Sequence, residues 1–233
     1  MERRLISASF VQEALDSLRR RGLPTQAVLD AAGLSEDAAD PVSPEIYGRL
    51  WLALAAVLGD ELFGVGARAL KPGGFTLLCH CVAHARDVET ALRRALRFLN
   101  LTLDAPQGEL VVTGGLARVE LREEGPPRSA FAYRTYWIAL HGVISWLARR
   151  RLPLRAVDFR CAEPEHCADY RLFFGAPVRF AQARCALAFD RSFLALPVNR
   201  DEAALKAFLR GAPANILVRY AHDAGLVAAV RAR

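Results

Sequence analysis

The chain has 233 residues, 53% of them hydrophobic, and a formal net charge of +6 at pH 7. This length and apolar content allow a substantial folded core and exclude a largely disordered chain. No apolar run reaches the roughly 20 residues of a membrane span, and the first residues lack a signal peptide's apolar centre, so we expect a cytoplasmic protein without a membrane partner.

The positive charge does not by itself indicate a nucleic-acid surface. Only Lys71 and Lys206 are lysines among the 31 basic residues, and the chain is also rich in Ala and Leu, which indicates a compositional bias. The tightest arginine clusters, at 19–21 and 149–151, follow helical patterns. Cations at such places complement the exposed carbonyls of a helix end, and we prefer that interpretation to phosphate binding.

The first 102 residues are predicted to be helical. "SASFVQEALDSLRRRG" has apolar residues at helical spacing and ends at Gly22, and "LPTQAVLDAAG", "SPEIYGRLWLALAAVLG" and "FTLLCHCVAHA" follow it. "DVETALRRALRFLNL" completes this half, with Asp87 as a helix cap and an apolar stripe of Leu92, Leu96 and Leu99. "LPTQAVLDAAGL" is not a helix-turn-helix, because no basic recognition helix comes after it.

The pattern changes at Leu103. "GELVVTGGLARVELRE" predicts a hairpin that turns at residues 114–115, and a long helix, "RSAFAYRTYWIALHGVISWLARR", follows. "LRAVDFRC" predicts a strand, "PEHCADYRLFFG" a helix with Pro164 in its first turn and Gly175 beyond its end, and "PVRF" and "CALAFD" two more strands. The order ββαβαββ indicates an α+β fold with a mostly antiparallel sheet. From residue 201 the chain is predicted to be helical to its end.

Two rows of polar and aromatic side chains are candidates for a ligand pocket. The long helix places Tyr133, Trp137, His141 and Ser145 in one row, and an earlier helix places Tyr47 and Trp51 four residues apart. Ligand pockets combine apolar and aromatic walls with a few polar groups. The alternative is an ordinary core in which the backbone satisfies the OH and NH groups, and for any single residue this is the simpler interpretation.

Cysteine and histidine are close enough in sequence to raise the question of a metal. The candidates are Cys79, His80, Cys81 and His84 in one segment, and Cys161, His166 and Cys167 in another. A C-x-C pair on a helix directs its thiols to different faces, and neither segment has zinc-ribbon spacing. Buried cysteines also serve as small hydrophobes, so we predict reduced thiols and neither metal nor cofactor.

Catalytic motifs are not found. "GVG" at residues 64–66 lies in a stretch predicted to be helical, so it is no dinucleotide fingerprint, and the chain contains neither G-x-S-x-G nor a Walker sequence. We therefore predict that the protein is not an enzyme.

Several short motifs, in order over about 150 residues, resemble the N-terminal effector domain of AraC/XylS-type transcriptional regulators, in the branch labelled arabinose-binding. The matching elements are Gly59-Asp60, Phe63-Gly64, Pro72-Gly73, "DVETALRRALRF", Tyr170, Phe174-Gly175-x-Pro177-Val178-x-Phe180 and Leu194-x-x-Pro197. We therefore interpret "FRCAEPEHCADYRLFFGAPVRF" primarily as a structural signature of this fold, and not as a metal site. One departure is Cys161, where relatives commonly have histidine, so no ligand role is transferred to it.

The resemblance implies a module that senses a small-molecule effector and forms a homodimer. It implies an effector-binding and dimerisation domain at 1–200, helical over 1–102 and α+β over 103–200, and helices at 201–233 that lead toward a DNA-binding domain outside this chain. DNA would be bound only through that absent domain. The effector site would use Tyr47, Trp51, Tyr133, Trp137 and His141, which suit an apolar or amphipathic metabolite better than a sugar. The alternative function is a free-standing metal, haem or redox sensor that uses the Cys/His set.

Overall fold

The computed structural model describes residues 4–36, 40–218 and 222–223. Its first part is mainly helical, as the sequence predicts. A short strand, β1 (Arg4–Leu5), is followed by α1 (Ala8–Arg19), α2 (Gln26–Ala32), α3 (Pro44–Leu58), α4 (Gly74–Ala83) and α5 (Val88–Leu103).

The second part contains the sheet. In chain order it consists of β2 (Gln107–Thr113), β3 (Leu116–Arg122), α6 (Ala130–Leu147), β4 (Leu154–Asp158), α7 (Cys167–Phe174), β5 (Val178–Arg179) and β6 (Cys185–Asp190). The strands lie in the order β2-β3-β6-β4-β5, and all neighbours are antiparallel except β4 and β5. The predicted ββαβαββ order and α+β class are confirmed.

A 3-10 helix (Arg191–Ala195) leads to α8 (Glu202–Gly211), α9 (Ala214–Leu217) and a last short strand, β7 (His222–Asp223). β7 pairs antiparallel with β1, so the two ends of the described chain lie side by side. The helix predicted to continue to the end of the chain is therefore interrupted at this strand, and most of its remainder lies outside the described residues.

Helix α6 is the centre of the fold, and all of its residues are buried. It is placed between the sheet and the helical part, because Leu140 and Ile144 of α6 share a small void with Leu92 of α5 and Val119 of β3. A helix covered on every side has no polar face, which accounts for the apolar sequence of α6.

Local signals in the sequence set most helix ends. Asp87 accepts a hydrogen bond from the backbone N–H of Thr90 at 2.8 Å and caps α5, as predicted. Gly175 ends α7 in the left-handed conformation, with φ of 63°, which glycine adopts without strain. The predicted hairpin turn is also present, because Thr113 pairs with Leu116 across Gly114 and Gly115.

Two local predictions are wrong. Helix α7 begins at Cys167, and Pro164 lies in the turn before it, where its carbonyl accepts the N–H of Cys167 at 3.1 Å. The "GVG" at residues 64–66, in the stretch predicted to be helical, lies instead at the end of a turn at 61–64 and in the bend that follows it. The buried carboxylate of Asp60 imposes that turn by accepting three backbone N–H groups, from Leu62, Gly64 and Leu70. A side chain that replaces the helical partners of the backbone makes the turn more favourable than a helix.

Candidate functional site

An apolar cavity lies beside Trp51 on α3. Ser43 caps this helix by accepting the N–H of Ile46 at 3.3 Å, and Pro44 occupies its first turn. These signals place Trp51 two turns into the helix, where its ring is only 7% exposed and meets the ring of Phe63 edge-on at 4.9 Å. Trp51 thereby forms one wall of the cavity.

The cavity has a volume of about 140 Å³ and lies between α3, α4, α6 and the pair α8 and α9. From the helical part and α6 it is lined by Trp51, Leu52, Ala55, Leu62, Phe75, Thr76, Ile138 and Ala139. From α8, α9 and their connection it is lined by Leu209, Ala212, Pro213 and Ile216. An apolar cavity of about 150 Å³ can stay dry and bind benzene, so this volume suits a small, compact molecule.

One carboxylate, that of Glu61, also lines this cavity. Its Oε1 accepts the backbone N–H of Gly73 at 2.9 Å, and its Oε2 accepts that of Phe75 at 2.6 Å. Glu61 follows directly on Asp60, whose three backbone hydrogen bonds fix the loop. The position of the Glu61 carboxylate is therefore fixed both by its own two hydrogen bonds and by the loop that Asp60 holds in place.

Helices α8 and α9 form one side of the cavity by packing on α3 and α6. The ring of Phe208 on α8 stacks on Trp146 of α6 at a centroid distance of 4.4 Å. Helix α9 lies against two glycines, because Gly142 of α6 faces Ile216 and Gly48 of α3 faces Ala214. A methyl group at Gly142 would clash with Ile216, so the absence of a side chain there permits the close approach.

The predicted row on α6 is buried, and its members have separate surroundings. The Tyr133 hydroxyl donates to Glu123 and accepts the backbone N–H of Arg128 at 3.0 Å. Burial, together with the hydrogen bond to Glu123, raises the pKa of Tyr133 well above its usual range. These contacts satisfy the phenol within the protein.

His141 and Trp137 lie further along the same row. His141 Nε2 is 2.9 Å from the Leu152 carbonyl oxygen and 3.4 Å from Ser145 Oγ, so the Nε2–H donates to the carbonyl. Trp137 is fully buried, and its Nε1 has no hydrogen-bond partner among the described residues. His141 also borders the small void between α6 and the sheet, whose volume is about 10 Å³.

Tyr47 points away from the cavity that its helical neighbour Trp51 lines. Its hydroxyl donates to the Phe10 carbonyl at 3.3 Å and accepts from Arg134 at 3.1 Å. Burial raises its pKa, and the positive charge of Arg134 opposes that shift. Of the five predicted site residues, the structure thus places only Trp51 on the 140 Å³ cavity, and the roles of the other four stay predictions.

A buried cation on α6 was not among the predicted site residues. Arg134 is 1% exposed, pairs with Glu13 of α1 and donates to the Tyr170 hydroxyl at 3.2 Å. Its guanidinium lies 3.6 Å from the centre of the Phe10 ring. The signal in the sequence is that Arg134 is the one Lys, Arg, Asp or Glu in the apolar stretch of α6. A buried charge of this kind requires a partner, but the sequence does not show which.

A second, open cleft of about 710 Å³ lies at the end of the sheet, and its lining is rich in charged side chains. It is lined by Arg122, Arg128, Arg160 and Arg184 together with Glu123 and Glu124. The guanidinium groups of this cleft already have carboxylate or carbonyl partners, including Arg128 with Glu123 and Arg160 with the Gly125 carbonyl.

The Cys/His set does not converge. Within residues 4–36, 40–218 and 222–223, no three His, Cys, Asp or Glu side chains are arranged to hold a metal ion. Cys79, Cys161 and Cys185 are buried free thiols, Cys167 is partly buried and Cys81 is exposed. Burial raises the pKa of Cys79 to about 12 and that of Cys161 to about 11. The metal and redox alternative therefore gains no support from the described residues.

Within the part of the chain that the structure describes, no helix is long and apolar enough to cross a membrane.

Comparisons with known proteins identify a family for this chain. Residues 22–198 match the family model described as the arabinose-binding domain of AraC transcription regulator, N-terminal. A solved structure with a similar chain is that of the transcriptional regulator CdpR from Pseudomonas aeruginosa, at 18% identity and a TM-score of 0.40. That similarity covers 92% of this chain and 67% of the CdpR chain. No curated protein sequence matches significantly.

Proposed function

Because this chain belongs to the family of N-terminal arabinose-binding domains of AraC transcription regulators, we propose that it senses a small-molecule effector and controls DNA binding by a separate domain. It acts in the cytoplasm as a homodimer and has no catalytic role. Paired operator half-sites and a two-fold symmetric protein match each other, which favours a dimer contact in this part of a regulator.

The observation that carries this proposal is the position of the 140 Å³ cavity. Its walls from α3, α4 and α6 belong to the segment that the family model matches, and its remaining walls belong to α8 and α9, beyond residue 198. A molecule in the cavity contacts both parts at once. An effector that binds one arrangement of α8 and α9 better than another shifts the population between them.

The lining also indicates the kind of effector. Most of the wall is aliphatic or aromatic, and its polar side chains are Glu61 and Thr76, together with the ring nitrogen of Trp51. A pentose would bury several hydroxyl groups without partners, which costs free energy for each one. An apolar or amphipathic molecule is the better fit, whatever ligand the family description names.

We assign direct contact with the effector to Trp51. Tyr47, Tyr133 and His141 support the site from behind, because they hold α3 and α6 in place through contacts with Phe10, Glu123 and Leu152. Trp137 supports it as a fully buried side chain of α6. Ile138 and Ala139, next to Trp137 on α6, reach the cavity instead.

The test uses benzyl alcohol as a neutral probe and follows backbone amide signals by NMR. We expect the probe to shift the signals of Trp51, Ala139 and Ile216 and to slow hydrogen exchange in α8 and α9. Ala139→Leu fills the cavity and should abolish both effects, whereas Ala31→Leu, on the exposed side of α2, should preserve them. Binding that survives Ala139→Leu, or binding without any change in α8 and α9, would contradict the proposed site.

The homodimer is tested separately by light scattering at high protein concentration, with and without the probe. A mass of two chains supports it, and a mass of one chain under all conditions contradicts it.

A further inference from the structure

We propose that the effector is a small organic cation, with an ammonium group placed against Glu61 and a compact apolar body in the remainder of the cavity. This inference rests on the proposed function, because it takes the 140 Å³ cavity as the effector site. It adds the charge and the size of the ligand.

Charge is the first argument. Glu61 is the one charged residue that lines the cavity, and no Lys, Arg or His lines it. Among the described residues no cationic side chain lies within ion-pair distance of Glu61. A cationic ligand would form an ion pair with this carboxylate, and the apolar wall beside the carboxylate would strengthen that pair relative to one in water.

The hydrogen-bonding capacity of Glu61 is the second argument. A carboxylate offers about four acceptor positions, and the backbone N–H groups of Gly73 and Phe75 occupy one on each oxygen. The two bonds fix the carboxylate without saturating it. An ammonium group can therefore donate to the free positions, and a hydrogen bond between two charged groups is stronger than a neutral one.

The aromatic walls are the third argument. Trp51 and Phe75 both line the cavity that contains the carboxylate. The faces of aromatic rings attract cations, and Trp does so most strongly. An anion meets the opposite situation, because both the rings and Glu61 repel it.

Volume limits the body of the ligand. A cavity of about 140 Å³ accommodates a benzene-sized group, and a second ring would need more volume than that. The ligand class is thus a primary amine that carries one aromatic ring or a short branched chain.

The experiment compares three probes of equal shape and different charge: benzylamine, benzyl alcohol and benzoate. Each is titrated into the full chain, and dissociation constants are taken from the amide signals that line the cavity. We expect benzylamine to bind about tenfold more tightly than benzyl alcohol and benzoate more weakly than both.

Glu61→Gln removes the charge while keeping an oxygen acceptor. It should bring benzylamine to the affinity of benzyl alcohol, while benzyl alcohol itself reports whether the cavity is still formed. Glu165→Gln is the matched control, because it removes one exposed carboxylate far along the chain and should leave the tenfold preference intact.

The outcomes separate the two proposals. Equal affinities for the three probes, tighter binding of benzoate, or an amine preference that persists in Glu61→Gln would overturn the cationic ligand alone. Failure of all three probes to bind would overturn the effector site and with it this inference.

Discussion

The rings of Trp146 and Phe208 stack at a centroid distance of 4.4 Å, with their planes inclined by 14°. This contact joins the last turn of the buried helix α6 to α8, and Phe208 also lies 6.4 Å from Phe75, a wall of the cavity. One side chain of α8 thus connects the proposed effector site to the core. Any movement of α8 must change its packing on Trp146.

Phe208→Ala should loosen α8 without unfolding the sheet. Truncation of a buried aromatic residue costs about 3–5 kcal/mol when the surroundings cannot collapse, and Phe208 is 6% exposed. We expect faster hydrogen exchange in α8 and α9, with the amides of β3 and β6 still protected. Leu101→Ala is the control, because Leu101 is 73% exposed and its loss should change neither region. Uniform loss of protection would mean that α8 does not move independently.

Asp60→Ala should be one of the more destabilising substitutions in the chain. It leaves the backbone N–H groups of Leu62, Gly64 and Leu70 without their acceptor, in a region where Asp60 itself is 4% exposed. Each buried donor left unsatisfied costs about 1–3 kcal/mol, so the free energy of unfolding should fall by at least about 3 kcal/mol.

Denaturant unfolding measures this change. Asp190→Ala provides the comparison, since Asp190 also accepts a backbone N–H, that of Ser192, but is solvent exposed. Its loss should cost clearly less than the loss of Asp60, because water can replace the carboxylate at an exposed helix cap. Equal losses for the two variants would contradict the role assigned to Asp60.

The sequence predicted the helices and strands well because their signals are local. Asp87 and Gly175 act within one turn of their own helices, and the hairpin at residues 114–115 depends on two adjacent glycines. The turn at 61–64 was missed because its cause, the carboxylate of Asp60, reaches as far as Leu70. Helical spacing alone does not report such a contact.

The candidate site was predicted less well for the same reason. Tyr47 and Trp51 share a face of α3 by spacing, yet one reaches Arg134 and the other reaches α8 and α9. The cavity exists only because residues after 200 fold back on α3 and α6 through Gly48 and Gly142. Nothing in the periodicity of either helix specifies that contact.

Arg134→Met should destabilise the protein strongly. The substitution leaves Glu13 without its cation and the hydroxyls of Tyr47 and Tyr170 without a charged donor. Removal of one member of a buried ion pair typically costs about 3–5 kcal/mol. The double variant Glu13→Gln with Arg134→Met should recover part of this loss, because it leaves no uncompensated charge.

The exposed pair of Arg93 and Glu89, at 2.8 Å, is the matched control for that experiment. Arg93→Met should change the free energy of unfolding by less than about 0.5 kcal/mol, as expected for a surface pair on one helix. A loss as small as this at Arg134 would show that its charge is not buried in solution.

Alkylation by iodoacetamide at about pH 8 should distinguish the five cysteines. The thiolate is the reactive form, and burial raises the pKa of Cys79, Cys161 and Cys185 above the ordinary value of a thiol. A raised pKa leaves these thiols protonated near neutral pH, and burial also blocks the reagent. Cys81 is exposed and should react first. Cys167 should react more slowly, because its hydrogen bond to Glu163 raises its pKa.

Mass spectrometry of the digested protein gives the alkylation rate at each cysteine, and in denaturant all five cysteines should react alike. Rapid modification of Cys161 or Cys185 in the folded protein would revive a redox role for the thiols.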